Sequence, residues 1–305
     1  MGSTAGALWR VEGAWTGHCS AAGKLNGRYH GRHVLGMKNI FAYRVGDVEV
    51  LDMPWAWEDQ PLITRTLQFP NGAKSLAHRI LLTEPGAEVR QVGEGAVAVV
   101  GKERIWVCGV KTAGKIRAWL QVEKGHLQVE VGEAEAGSRI QLAYATVSTG
   151  GQNKGEILGD LERRVAHAVG DAPDLSQIVT GGAVQWAETV TVKGVRGDHP
   201  TNAYVVDRIP LPFDNDLQSM MFLSGIDFMP DGTAYISTLM GEVWKVSGLG
   251  GDLEKVTWRR FARGLNQPFG VKIYEGKVQV LTREQIVQLE DRNGDGEVDF
   301  YANVA

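Results

Sequence analysis

Apolar and polar residues alternate with a period of two through most of the first half of the chain. The run Leu127-Gln128-Val129-Glu130-Val131 shows it most plainly, with the odd positions apolar. Successive side chains of a strand point to opposite faces, so such a run buries one face and wets the other. These runs come in pairs separated by turn residues. Residues 40–45 and 48–51 flank Gly46-Asp47, where glycine in the first central position suits a type II′ turn. Residues 96–100 and 104–107 flank Gly101-Lys102-Glu103, and residues 117–122 and 126–131 flank Glu123-Lys124-Gly125. Evenly spaced hairpins from Trp9 to Gly150 predict a sandwich-like β-rich domain.

Two segments depart from that period. Ile157, Leu158, Leu161 and Val165 recur at helical spacing, so residues 155–169 are expected to form a helix. Glu162, Arg163 and Arg164 then face outward, and Gly170 ends it. Asp171-Ala172-Pro173-Asp174 reads as a linker. From Trp186 to Phe213 the chain is expected to be extended, with strands at 190–195 and 204–209. Pro210 and Pro212 exclude a central strand beyond them.

The alternation then returns in a repeated plan. Gly225-Ile226-Asp227-Phe228 passes through Pro230-Asp231-Gly232 to Ala234-Tyr235-Ile236-Ser237 and Val243-Trp244-Lys245-Val246. Gly270-Val271-Lys272-Ile273-Tyr274 passes through Glu275-Gly276 to Val278-Gln279-Val280-Leu281 and Ile286-Val287-Gln288-Leu289. Gly225 and Gly270 lie about 45 positions apart, the spacing of β-propeller blades. Residues 256–262 are expected to form a blade's outer strand, with Val256, Trp258 and Arg260 on one face. The expected fold is all-β: a sandwich-like domain over residues 1–170, a linker and extended entry over 171–215, and the first two blades of a propeller over 216–305. Each blade buries its face on a neighbour, so two blades leave the propeller open. The chain is therefore expected to be a fragment of a longer protein, or to have its open blade covered by something else.

Composition narrows the function. Of 305 residues, 43% are hydrophobic and 22% charged, as in ordinary globular proteins. A net charge of −4 with no basic block gives no electrostatic footprint for nucleic acid. No apolar run approaches the roughly 18 residues of a membrane span, and the first ten residues lack the features of a signal peptide. Cys19 and Cys108 are compatible with a disulfide or with two buried thiols. Cys19 opens no Cys-x-x-Cys-His haem-attachment motif. The tryptophans Trp15, Trp55, Trp57, Trp106 and Trp119 are expected to pack in the core or on sheet faces rather than to form a sugar platform.

The sharpest candidate chemistry is Asp291-Arg292-Asn293-Gly294-Asp295-Gly296-Glu297-Val298-Asp299. Oxygen-bearing side chains at alternate positions of a tight loop converge on one centre, which suits Ca²⁺. Asp291, Asn293 and Asp295 would offer side chains, Glu297 its carbonyl, and Asp299 a direct or water-mediated contact. The twelfth position is Ala302 rather than Glu, so the loop is no complete EF-hand. The other reading is a solvated cluster of Asx turns without an ion. Asp214, Asp216, Asp227, Arg263, Asn266 and Gln267 form a second polar set near the expected central face, suited to a quinone or sugar or to local turn capping. The histidines His18, His30 and His33 lack a second ligand pair at zinc spacing.

Several of these segments together resemble a known family. They are Leu211-Pro212-Phe213-Asp214-Asn215, the run from Gly225 to Gly232, Gly241 to Leu249, Val256 to Gly270, and Asn293 to Tyr301. They are similar to a large family of planctomycete and verrucomicrobial proteins. In that family an uncharacterised β-rich N-terminal domain precedes a propeller resembling quinoprotein glucose/sorbosone dehydrogenases, and many members end in a c-type cytochrome domain. The resemblance is dense over 186–301 and patchy before it. It implies a periplasmic or extracellular protein and, in full-length relatives, sugar or alcohol oxidation with a quinone and a haem domain in cis. The cytochrome part and the remaining blades are missing from this sequence, so no complete active site is expected within it. The competing expectation is a scaffold that binds a glycan or a protein without chemistry.

Overall fold

A computed structural model describes residues 9–11, 14–16, 27–151, 153–198, 201 and 203–304. The chain is all-β apart from two helices among these residues. It divides into two compact units, one of residues 1–31 and 38–179, the other of residues 32–37 and 180–305.

The first unit contains β1 (Trp9–Val11), β2 (Ala14–Thr16), β3 (Gly27–Leu35, its later part belonging to the second unit), β4 (Lys38–Val45), β5 (Val48–Ala56), β6 (Leu62–Phe69) and β7 (Leu76–Leu82). It continues with β8 (Glu88–Gln91), β9 (Ala96–Val100), β10 (Arg104–Ala113), β11 (Ile116–Glu123), β12 (His126–Ala134) and β13 (Ser138–Ser148), then α1 (Lys154–Ala168) and α2 (Leu175–Ile178). One sheet has the order β11-β12-β7-β1-β2, and the larger one runs β3-β4-β5-β6-β13-β10-β9-β8. Their inner faces share one core: Tyr43, Val45, Leu67, Phe69 and Ile140 of the larger sheet meet Leu76, Val129 and Val131 of the smaller. The hairpin turns are those the sequence demands. Gly46 takes φ 59°, and Lys124 and Gly125 take 47° and 74°, the left-handed pair that matches strand twist in a two-residue turn.

α1 covers the other face of the larger sheet. Asn153 caps it by accepting the Gly155 N–H at 3.0 Å, and Val169 ends it one residue before the expected Gly170. Leu161, Val165 and Ala168 pack on Ile105, Val107, Ala143 and Ala145. Gly109 makes the approach close: a Cβ there would meet Val165 and Val169 at 2.9 Å. A charged group is also buried in this unit. Asp52 accepts from the Tyr43 hydroxyl at 2.9 Å and from Arg65 Nε at 2.7 Å, and Arg65 reaches His78 Nε2 at 2.7 Å. Removing one partner of such a pair strands the other without solvent.

The second unit contains β14 (Thr189–Val192), β15 (Leu223–Phe228), β16 (Ala234–Thr238), β17 (Val243–Ser247), β18 (Val256–Ala262), β19 (Gly270–Tyr274), β20 (Lys277–Leu281), β21 (Ile286–Glu290) and β22 (Phe300–Asn303). Strands β15 to β18 form one antiparallel meander with β14 on its outer edge. Strands β19 to β22 form a second, and residues from Arg32 onward of β3 lie beside β22, where Val34 N–H donates to the Asp299 carbonyl at 3.0 Å. Tyr235, Val243, Phe261 and Leu265 of the first meander meet Val271, Val280, Val287, Leu289 and Tyr301 of the second. The opposite face of the first meander, with Ile236, Trp244, Val246 and Trp258, is covered by Ile209, Leu211, Leu217 and Met221. The opposite face of the second carries Lys272, Gln279, Gln288 and Glu290.

One expected strand does not form. Residues 204–209 make only a single bridge, Val195 to Arg208, and Tyr204 and Val206 stay 88% and 71% exposed. Apolar alternation alone makes no strand where no neighbouring edge takes up its backbone groups. The strand expected at 190–195 is shorter, ending at Val192. Trp55 and Trp119 lie on sheet surfaces, 37% and 43% exposed, and the side chain of Trp15 and all of Cys19 fall outside the described residues. Cys108 is a buried thiol, and burial pushes its pKa up.

The two meanders touch at their first strands. A Cβ on Gly225 would stand 2.7 Å from Gly270 Cα and 2.9 Å from Val271 N, whereas a Cβ on Gly270 would meet nothing within 4 Å. Gly225 thus needs a missing side chain, and Gly270 does not. Gly225→Ala is expected to cost about 1–3 kcal/mol through forced backbone shifts, while Gly270→Ala changes stability by less than about 0.5 kcal/mol. Urea unfolding of both variants checks this asymmetry.

Candidate functional site

The Asp291–Asp299 loop joins β21 to β22, and its shape is set by its own short polar side chains. Asp291 accepts the N–H groups of Gly294 at 2.7 Å, Asp295 at 3.2 Å and Gly296 at 2.8 Å. Asn293 Oδ1 accepts from Asp295 N at 3.0 Å, and Asp295 Oδ1 from Glu297 N at 2.9 Å. Each carboxylate or amide oxygen thus holds a backbone N–H farther along, which bends the loop into successive Asx turns. Gly294 and Gly296 take φ 77° and 88°. At Gly296 a Cβ would also meet the Arg259 guanidinium at 2.5 Å, the mobile end of a long side chain, so it is the left-handed backbone that requires glycine there.

The five candidate ligands are committed differently. Asp291 and Asp295 bond within the loop, and Asn293 Nδ2 donates to Asp295 Oδ2 at 2.9 Å. Glu297 and Asn293 tie the loop to its surroundings, and Asp299 closes its two ends. Glu297 Oε2 accepts from Gln185 N at 2.8 Å and Trp186 N at 3.2 Å, so its carboxylate is committed elsewhere and only its carbonyl is on offer to an ion. Asp299 Oδ2 accepts from Arg292 N at 2.8 Å and Asn293 N at 3.2 Å. Asn293 further donates to the Gly182 carbonyl at 2.9 Å. Among the described residues no three His, Cys, Asp or Glu side chains form a metal-holding group.

The electrostatics at Glu297 and Asp299 are set first by burial. Burial raises the pKa of Glu297, and Asp295 adds to the rise, against the amides of Gln185 and Trp186 and the Arg259 charge. Burial likewise raises Asp299, with Asp295 adding to it, against the amides it accepts from. The donor set is all oxygen and mostly anionic, the chemistry a hard cation selects. The residues therefore fit Ca²⁺ by type. Sequence reading found these groups but missed what surrounds them, Arg259 and residues 181–186, because those contacts are remote in sequence.

The second polar set is not brought together as one site. Asp227 Oδ2 accepts from Lys272 Nζ at 2.7 Å and Ile273 N at 2.8 Å, which brings its pKa down to about 2 and links β15 to β19. Arg263 lies 4.4 Å from the Trp186 ring centroid. Asn266 donates to Glu284 at 2.8 Å, and Gln267 accepts from Arg283 at 3.4 Å. Asp214 is exposed and Asp216 lies at the surface beside the Asn215 turn, where Asn215 Oδ1 accepts from Ser219 N at 2.9 Å. Of the three histidines, His33 packs on Phe300 with ring centroids 4.4 Å apart, and burial followed by the Arg292 charge lowers its pKa to about 4. His18 lies outside the described residues.

If the loop holds Ca²⁺, melting followed in EGTA and then in excess Ca²⁺ shows a rise that Asp291→Ala abolishes; an ion at 100 times its Kd adds about 2.7 kcal/mol. An unchanged melting temperature counts against the ion. The acid-base behaviour is separately testable in EGTA. Glu297 and Asp299 have raised folded-state pKa values, so their contribution to stability is full below the ordinary carboxylate value of about 4 and is lost as pH rises through the raised values. Asp299→Asn is expected to flatten that decline in denaturation curves taken across the acid range.

No family model matches the chain, and no curated protein matches it. Among solved structures, one described as "Putative kojibiose phosphorylase from human microbiome" aligns at 10% identity with a TM-score of 0.37, over 53% of this chain and 25% of that one. This chain spans about a quarter of that structure's length, and a likeness so slight carries no argument about fold or function.

Proposed function

We propose that residues 216–305 are the first two blades of a β-propeller similar to those of glucose/sorbosone dehydrogenases. The sheets of the first unit are then the sandwich-like domain that precedes the propeller in the planctomycete and verrucomicrobial family. In this reading the protein is the front part of an exported redox protein that oxidises a sugar or alcohol and passes electrons to a c-type cytochrome domain in cis. The observation that carries the reading is the repetition of a four-stranded antiparallel meander with an added outer strand, joined at the inner strands by Gly225 against Gly270. A propeller needs this approach, because its inner strands converge on one axis.

The reading assigns no complete active site to these residues. A quinone, when bound in the full protein, would supply a two-electron acceptor. Within this chain Asp227, bonded to Lys272 and to Ile273 N, holds β15 against β19. The Asp291–Asp299 loop, through Asp291, Asn293, Asp295, the Glu297 carbonyl and Asp299, is proposed to hold Ca²⁺ and so to neutralise the carboxylates gathered between β21 and β22.

The binding-scaffold alternative has one observation in its favour. Phe222 and Phe269 are more than half exposed, and Leu239 and Leu281, bonded to them through the backbone, are also exposed. Large exposed apolar side chains mark a surface that another molecule covers. The product of the whole gene, loaded with quinone and Ca²⁺, is expected to reduce an acceptor dye with aldoses or polyols and to show c-type haem absorption. Haem-free product that binds glycan or protein without dye reduction would overturn the redox reading in favour of the scaffold.

A further inference from the structure

The edge of the smaller sheet in the first unit, β11, is open. It ends the strand order, and among the described residues no strand pairs with its outer side. Its sequence, Ile-Arg-Ala-Trp-Leu-Gln-Val-Glu, has neither proline nor lysine, the residues that commonly guard an edge. Ala118, Trp119 and Leu120 line a groove of about 890 Å³ that also borders Gly93, Gly95, Lys111 and Thr112.

The register shows which backbone groups face outward. The β11–β12 hairpin closes on the two-residue turn Lys124-Gly125, so Glu123 and His126 exchange both of their hydrogen bonds. Pairs alternate from there, so Gln121 and Trp119 bond inward to Gln128 and Glu130. Ala118, Leu120 and Val122 therefore turn their N–H and C=O groups toward the open side. The side chains of Arg117, Trp119, Gln121 and Glu123 lie on the face away from the core, since Ala118, Leu120 and Val122 pack inward.

We infer that β11 pairs with β11 of a second copy of this chain, antiparallel about a two-fold axis at Leu120. That centre brings Leu120 opposite its counterpart and Ala118 opposite Val122 of the second copy, which joins the outward backbone groups of both strands. It also brings Arg117 opposite Glu123 of the second copy, and the reverse, so the two charge pairs repeat by symmetry. Trp119 lies opposite Gln121 of the second copy. The edge is thus self-complementary in hydrogen bonds and in charge, as a two-fold interface must be. Arg117, at the point where the β11–β12 register shifts, stands 5.9 Å from the Trp119 ring, and Glu123 already accepts from Gln128 of β12 at 3.1 Å, so Arg117 of the second copy would join a carboxylate that its own sheet holds in place. The joined strands merge two five-stranded sheets into one.

Sedimentation velocity of the full chain over a range of concentrations and ionic strengths tests this. The expected result is a reversible dimer that weakens with salt. Arg117→Glu and Glu123→Arg each weaken association by roughly tenfold or more, because both symmetric pairs become repulsive. The double variant R117E/E123R restores it, because the pairs are merely exchanged. Circular dichroism shows whether each variant is folded. Should a reversal unfold the chain, Arg117→Gln and Glu123→Gln pose the same question and are expected to weaken the dimer less. A chain monomeric at every concentration, a dimer indifferent to the single reversals, a double variant no tighter than the singles, or a glycan taken up in the groove by a monomer would overturn the inference.

Discussion

The second unit depends on two backbones coming closer than side chains allow. Strands β15 and β19 can lie together at Gly225 only because that residue has no Cβ to place between them. Once they meet, Asp227 bonds across to Ile273 and Lys272, and valines and leucines of one meander interleave with aromatic residues of the other. Packing at this density leaves little room for compromise. The glycine is therefore a spatial requirement and not a flexible joint, unlike Gly296, where the left-handed backbone is what excludes a side chain.

Buried polar groups set a different kind of constraint in the first unit. Asp52, Arg65, Tyr43 and His78 occupy space that apolar residues would fill at no electrostatic cost. Such a group favours one arrangement of the sheets, since any slip in register would separate the ions from their partners. The aliphatic core around it supplies the driving force, and the ion pair narrows the choice of register.

Much of this was legible from local pattern. The hairpins and their turns follow from period-two alternation and well-placed glycines, and α1 follows from Ile157, Leu158, Leu161 and Val165. The all-β character follows from the same signals. What local pattern could not supply was partnership. Residues 204–209 alternate as a strand should, yet only Arg208 forms a backbone bridge, to Val195. Likewise the loop at 291–299 shows its ligand types in the sequence, while the diversion of the Glu297 carboxylate to the amides of Gln185 and Trp186 arises from a contact over a hundred residues long. The polar set around Asp227 and Asn266 scattered for the same reason: each side chain met a nearer partner than a common centre.

Strand β3 serves both units, its residues to Gly31 in the first and from Arg32 in the second. Arg32 donates to the Gly264 carbonyl at 2.6 Å and stacks 4.8 Å from the Tyr301 ring, and Val34 bonds to Asp299. During synthesis the first unit can close as soon as its own strands emerge, because its strands and helices lie between residues 9 and 178. The second cannot close until β22 has emerged to lie beside β3, a strand made long before and held meanwhile by β4. The order of translation is thus written into the architecture: a short early segment is held in reserve for a strand made much later.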